Sequence, residues 1–144
     1  MNRLRILTYN IHKGFTVGNL RFSLHGMRDA IHSVNADIVL LQEVQGEHRF
    51  LKKTIPHWPD AQSQAAFLAA GLYPHVVYSE NAHYVAGHHG NAILSKYPFI
   101  MTENINVSKS KSASRSVLHA VIAHPTKNTP LHIICVHFGL FKAE

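Results

Sequence analysis

The run Asp37-Ile38-Val39-Leu40-Leu41-Gln42-Glu43-Val44 constrains the fold more than any other stretch of this chain. Its apolar residues drive a strand inward, and that strand ends on a carboxylate. A buried, isolated carboxylate is costly unless it is paired, protonated or bound to a metal. Arg5-Ile6-Leu7-Thr8-Tyr9-Asn10-Ile11-His12 repeats the design, an apolar strand ending on an amide and an imidazole. Two buried strands that carry Asn10 and Glu43 to their C-terminal ends predict one oxygen-rich corner. Oxygen ligands suit Mg²⁺ or Mn²⁺, which hold one or two protein groups, several waters and a substrate phosphate.

Around these strands the periodicity predicts a layered α/β or α+β architecture. The opening strand, 4–11, leads into a loop through Lys13, Gly14 and Gly18. Leu20, Leu24, Met27, Ile31 and Val34 recur at helical spacing, with Gly26 weakening that helix by about 1 kcal/mol. Asn35-Ala36-Asp37 turns the chain into the strand 37–44. A short helix is expected over Gly46–Lys53, and another over Ser63–Ala70, closed by Gly71. Strands then dominate, at 75–79, 91–96, 99–107, 116–123 and 131–138.

At 144 residues the chain has the size of one domain, and 46% hydrophobic with 15% charged residues describes a soluble globular protein. The net charge of +6, with thirteen histidines uncounted, favours anions, phosphates above all. A single cysteine, Cys135, excludes an intramolecular disulfide framework and reads as a buried, inert thiol. No segment reaches the ~18 consecutive apolar residues of a membrane span, and no apolar leader follows the N-terminal arginines, so the expected address is the cytoplasm. Nucleotide-binding glycine loops and the Gly-x-Ser-x-Gly elbow of serine hydrolases are absent. The tract 108–116 is either a solvated connection or a loop touching phosphate through Lys109, Lys111 and Arg115.

Phosphate-ester hydrolysis needs a metal against the phosphoryl oxygens, a group that orients water, and donors for the transition state. Glu43 is the metal-ligand candidate, against an ordinary ion pair with a nearby cation. Asn10 is the second, against a backbone-capping amide. His137 ends the strand 131–138 on the face of Leu131, Ile133 and Cys135. His88 and His89, in a Gly-flanked loop before Asn91, are surface histidines or substrate contacts, and form a poor zinc signature. His12 and Lys13 could meet a phosphate at a cleft rim. The competing reading is a non-catalytic, basic, His-rich module that binds nucleic acid or metal.

Leu7-Thr8-Tyr9-Asn10-Ile11 and Ile38–Val44 resemble the first two motifs of the endonuclease/exonuclease/phosphatase superfamily, the deoxyribonuclease I-like fold. Gly90-Asn91-Ala92-Ile93-Leu94-Ser95-Lys96-Tyr97-Pro98 resembles its third block, and Ile133–Phe138 its Val-His-Leu strand. The Asn-Ile-His-Lys-Gly form at 10–14 and the Gly-His-His-Gly-Asn form at 87–91 look most like bacterial YbhP-type members. The resemblance implies the N-terminal half of a four-layer α/β/β/α sandwich, mostly antiparallel, with helices on one face. It implies a divalent-metal-dependent phosphoesterase (Mg²⁺ or Mn²⁺) in which Glu43 and Asn10 hold the metal and His137 stabilises the phosphoryl charge. His12, Lys13, His89, Asn91 and Arg115 would then line the phosphate site. Candidate substrates are nucleic acid, a phospholipid head group or a small phosphodiester. Family members continue to a Gly-Asp-x-Asn motif and an Asp-His pair, neither of which occurs in 1–144. The expectation is therefore a partial domain, with little activity alone, that self-associates through a sheet whose inner face lacks its partner sheet.

Overall fold

The structure, a computed structural model, describes residues 3–19, 21–59, 63–108, 115–124, 126–127 and 129–137. Strand β1 (Ile6–Asn10) pairs in parallel with β2 (Ile38–His48), in the register Ile6↔Ile38 to Asn10↔Gln42. A parallel pair needs a crossover, and helix α1 (Leu24–Val34) lies within it. On the other side of β2 runs β4 (Gly87–Ser95), antiparallel, followed by β3 (His75–Tyr84), giving the order β1-β2-β4-β3. A second, fully antiparallel sheet holds β5 (Phe99–Asn106), β6 (Ser116–Ala123) and β7 (Pro130–Val136).

Leu24, Met27 and Ile31 form the buried stripe of α1. With Ala65, Leu68 and Ala69 of α3 (Gln64–Ala69) they cover the outer face of the first sheet, against Val39, Leu41, Val44, Ala92 and Leu94. Asn35 ends α1 in the left-handed region, its N–H donating to the carbonyls of Ile31 and His32. The helix starts later than the periodicity suggests. Phe22 bridges to Phe15 and the Ser23 N–H donates to the Gly14 carbonyl, so the chain just before Leu24 serves the loop. Leu20 lies outside the described residues.

Two boundaries differ because pairing overrides local pattern. The strand carrying Glu43 continues to His48, since Val44, Gln45 and His48 pair with Gly90, His89 and Gly87. The helix expected over Gly46–Lys53 shrinks to one turn, α2 (Leu51–Thr54). The Gly-flanked loop expected around His88 and His89 is instead part of a hairpin that continues β3 and β4 over residues 80–90, which places both histidines in a strand.

The expected bare inner face does not exist. Ile38, Leu40, Val77 and Ile93 of the first sheet pack on Leu118, Ala120, Ile122, Ile133 and Cys135 of the second. Each large aliphatic side chain buried there contributes roughly 1.5–3 kcal/mol. Cys135 sits in this seam, its thiol donating to the Leu41 carbonyl and accepting from Gln42 Nε2, both at 3.5 Å. Burial pushes its pKa up, and the Gln42 hydrogen bond only partly offsets this, so the thiol is inert. Among the described residues an apolar patch stays open on the outer face of the second sheet, where Ile100 is 64% and Ile134 57% exposed. The result is three layers, α/β/β, mostly antiparallel, with helices on one face. Among the described residues no helix is long and apolar enough to cross a membrane.

Candidate functional site

The parallel register delivers Asn10, the last residue of β1, beside Gln42 of β2, one residue before Glu43. Strict alternation along β2 would then turn Glu43 toward the helices, next to Leu41 and Val44. It does not, because Leu41 and Val44 oppose Ala92 and Gly90, which leaves β2 one residue longer than β4 over this interval. That extra residue is a β-bulge, a device that re-aims side chains. It holds Glu43 at φ 53°.

The turn after β1 is strained in the same way, with His12 at φ 46° and Lys13 at φ 56°. Left-handed backbone in residues other than glycine costs on the order of 1 kcal/mol or more each, and clusters where function demands it. Here the three side chains converge. His12 Nδ1 and Lys13 Nζ lie 3.2 and 3.6 Å from Glu43 Oε2. On the other oxygen, Asn10 Nδ2 donates to Oε1 at 3.0 Å and His137 Nε2 lies 3.5 Å away. Asn10 Oδ1 in turn accepts the His12 N–H at 2.9 Å and fixes the turn. Burial alone would raise the Glu43 pKa, but the Asn10 hydrogen bond and the nearby Lys13, His137 and His12 hold it below the usual carboxylate value.

A narrow recess adjoins this carboxylate, lined by Glu43, Asn81, His89, Gly90, Asn91, Arg115 and His137. Both sheets build it, for Arg115 precedes β6 and His137 follows β7. Asn91 Nδ2 donates to the Ser116 carbonyl at 3.4 Å, while its buried Oδ1 and the buried Nδ1 of His89 have no hydrogen-bond partner. Unpartnered buried polar atoms are rare and point to something absent. Burial, reinforced by Lys13, His137 and Arg115, lowers the His89 pKa to about 4, against a smaller upward pull from Glu43. At neutral pH the imidazole is therefore uncharged.

The structure thus brings together Asn10, His12, Lys13, Glu43, His89, Asn91, Arg115 and His137. His88 points to the opposite face of β4, where Nδ1 meets the Tyr78 hydroxyl at 2.9 Å and Nε2 lies 3.5 Å from Glu80. Lys109 and Lys111 lie outside the described residues. Asn81 escaped sequence reasoning. It is the extra residue of a bulge in β3, between Glu80↔Gly90 and Ala82↔His89, and its Oδ1 accepts from the hydroxyls of Ser79 and Ser116. The available signal was the polar run Ser79-Glu80-Asn81, which breaks an apolar strand.

Among the described residues no group of three or more His, Cys, Asp or Glu side chains is arranged to hold a metal ion. A single carboxylate nevertheless fits a hard divalent cation, which keeps most of its waters and leans on substrate phosphate, although Asn10 turns its Nδ2 toward Glu43 and its Oδ1 to the His12 N–H. The unpartnered Asn91 Oδ1 suits the same chemistry, as acceptor for a water or ligand for a cation.

Residues 7–135 match the family model described as Endonuclease/Exonuclease/phosphatase family. The chain is 46% identical over 140 residues to YbhP of Escherichia coli K12, covering 97% of this chain and 55% of that protein. It therefore spans about half the length of the curated relatives it matches. Among solved structures, an endonuclease/exonuclease/phosphatase from Beutenbergia cavernae superposes with a TM-score of 0.71 at 21% identity, over 93% of this chain and 38% of that one. TDP2 from D. rerio, complexed with single-strand DNA product, gives 0.59 at 19% identity, over 96% and 47%. By sequence match and fold together, the chain belongs to the endonuclease/exonuclease/phosphatase family.

Proposed function

We propose that this chain carries the metal-binding and phosphate-binding part of a divalent-metal-dependent phosphoesterase that hydrolyses its substrate by in-line attack of water. The observation that carries the proposal is the convergence of His12 and Lys13 on the carboxylate of Glu43, all three non-glycine residues in the left-handed region, beside a recess with unpartnered polar atoms. Glu43 and Asn10 would hold Mg²⁺ or Mn²⁺. When bound, such a cation neutralises phosphoryl oxygens and acidifies a coordinated water.

The remaining roles follow from donor chemistry. Arg115 and Lys13 offer fixed charge to phosphate oxygens, and the guanidinium can do so with two parallel hydrogen bonds. His137, at the rim, donates toward the oxygen on which charge develops. Neutral His89 can donate one hydrogen bond from Nδ1 without adding charge. Asn91 Oδ1 is an acceptor, so it suits a water proton better than a phosphate oxygen. Among the described residues Glu43 is the sole carboxylate lining the recess. Deprotonation of the attacking water is accordingly assigned to a group beyond the described residues, and the 144-residue chain by itself is proposed to turn over little substrate.

The net charge of +6 supports an anionic substrate. The DNA product bound to D. rerio TDP2 supports nucleic acid among the phosphate esters to be tried first.

Hydrolysis of bis(p-nitrophenyl) phosphate and of a single-stranded oligonucleotide, with and without Mg²⁺ or Mn²⁺, tests the proposal. Both this chain and one extended to the length of its curated relatives should be assayed. Metal-dependent turnover in the extended protein, reduced by about 10³-fold or more in Glu43→Gln, is expected. Phosphate binding without turnover in either form would establish a non-catalytic anion-binding module instead.

A further inference from the structure

We infer that Gln64 is a positioning residue of this site: one buried side-chain amide ties together the two strained segments that present Lys13 and Glu43. Gln64 opens α3 and is 2% exposed. Its Oε1 accepts the backbone N–H of Gln45, two residues beyond Glu43, at 2.9 Å. Its Nε2 donates to the backbone carbonyl of Lys13 at 2.7 Å. The helix itself is fixed at this end, since the Ser63 hydroxyl accepts the Ala66 N–H at 3.2 Å.

The chemistry accounts for an amide at this position. A bulge and a left-handed turn break the regular ladder, leaving a buried N–H on one segment and a half-buried C=O on the other. Each such group left unpaired costs about 1–3 kcal/mol. Glutamine supplies one acceptor and one donor on a single planar group, which satisfies both at once. A carboxylate offers no donor to the Lys13 carbonyl, and an apolar residue of equal length offers neither partner. The far ends of both segments are held as well. Gln45, fully buried, donates to the Glu47 and His88 carbonyls and accepts from the Tyr84 hydroxyl, so the residue that Gln64 grips is itself locked. On the other side a Cβ on Gly14 would lie 2.7 Å from Gln64 Nε2, so the turn is seated directly against the strut.

The inference rests on the functional reading of Glu43 and its neighbours, but its test needs no turnover. Gln64→Glu and Gln64→Met are made in the 144-residue chain, and backbone amide resonances, amide exchange and inorganic phosphate affinity are followed by NMR. Gln64→Glu keeps the acceptor for Gln45 and should shift the resonances of residues 12–14 while leaving the Gln45 N–H protected. Gln64→Met should shift both segments and expose that N–H. Each should weaken phosphate binding by about fivefold or more, the effect of moving one fixed cation out of contact. If Gln64→Met does not fold, the Glu variant alone decides by the one-sided pattern. A folded variant whose 12–14 resonances and phosphate affinity match wild type overturns the inference. Loss of hydrolysis in every form of the protein overturns the phosphoesterase reading and leaves the resonance pattern to judge Gln64.

Discussion

Glu43 is a carboxylate ringed by nitrogen, and the acid limb of the stability curve should report it. Its pKa is lower in the folded protein than the ordinary carboxylate value of 4.5. The folded state therefore favours the anion, and the resulting stability is present above about pH 4.5 and lost as pH falls through the folded value. His89 acts in the adjoining window. Its pKa falls from 6.5 to about 4, so the unfolded chain takes up the proton first. Stability is then full above pH 6.5 and declines between 6.5 and 4. With screening by solvent the decline is on the order of 1–2 kcal/mol. Urea denaturation across this range should show a flatter slope from pH 6.5 to 4 in His89→Asn, and below pH 4.5 in Glu43→Gln. Slopes identical to wild type in both variants would contradict these assignments. That Glu43 and Asn10 meet in one corner was legible in the sequence, because a polar residue at the end of an apolar run conflicts with burial and demands a reason, whereas His137 was expected beside them from the family resemblance. The left-handed backbone beneath Glu43 was not legible, since it arises from pairing with a strand more than forty residues away.

At the scale of elements, the bulges of β2 and β3 face each other across β4, and Gly90 lies where they meet. A Cβ on Gly90 would sit 1.7 Å from the Ser79 carbonyl oxygen. Gly90→Ala should therefore lower stability by about 3 kcal/mol or more and spoil the recess that Asn81 lines. Gly26, exposed within α1, meets nothing closer than the Ser23 hydroxyl at 3.7 Å. Gly26→Ala should raise stability by about 0.5–1 kcal/mol, because an alanine there restricts the unfolded chain without a clash. Urea denaturation of the two variants gives opposite signs if both arguments hold. Helices α1 and α3 were readable from the apolar spacing of Leu24, Met27 and Ile31 and from the apolar run up to Ala70 closed by Gly71. The 80–90 hairpin was not, for its Gly-flanked histidines imitate a loop while the backbone beneath them pairs.

In the whole molecule, the two sheets cover each other and, among the described residues, leave an apolar patch in contact with water on the outer face of β5–β6–β7. Ile100, Met101, Ile105 and Ile134 are all exposed there. A face of this kind favours a second copy of the chain when nothing else covers it. Sedimentation over a concentration series should show association of the 144-residue chain, reduced in an Ile100→Lys/Ile134→Lys variant. A monomer throughout the series would refute it. The seam between the sheets has a different use. Cys135 is the one cysteine of the chain and is 1% exposed, so an alkylating reagent in water reaches it only when the sheets part. Its labelling rate is a clock for that parting. The recess takes Asn91 from one sheet and Arg115 and His137 from beside the other, so an anion seated among them binds only the closed form. Inorganic phosphate at 100 times its dissociation constant should slow the clock by about a hundredfold, which would let one sulfur atom measure ligand binding with no substrate being turned over.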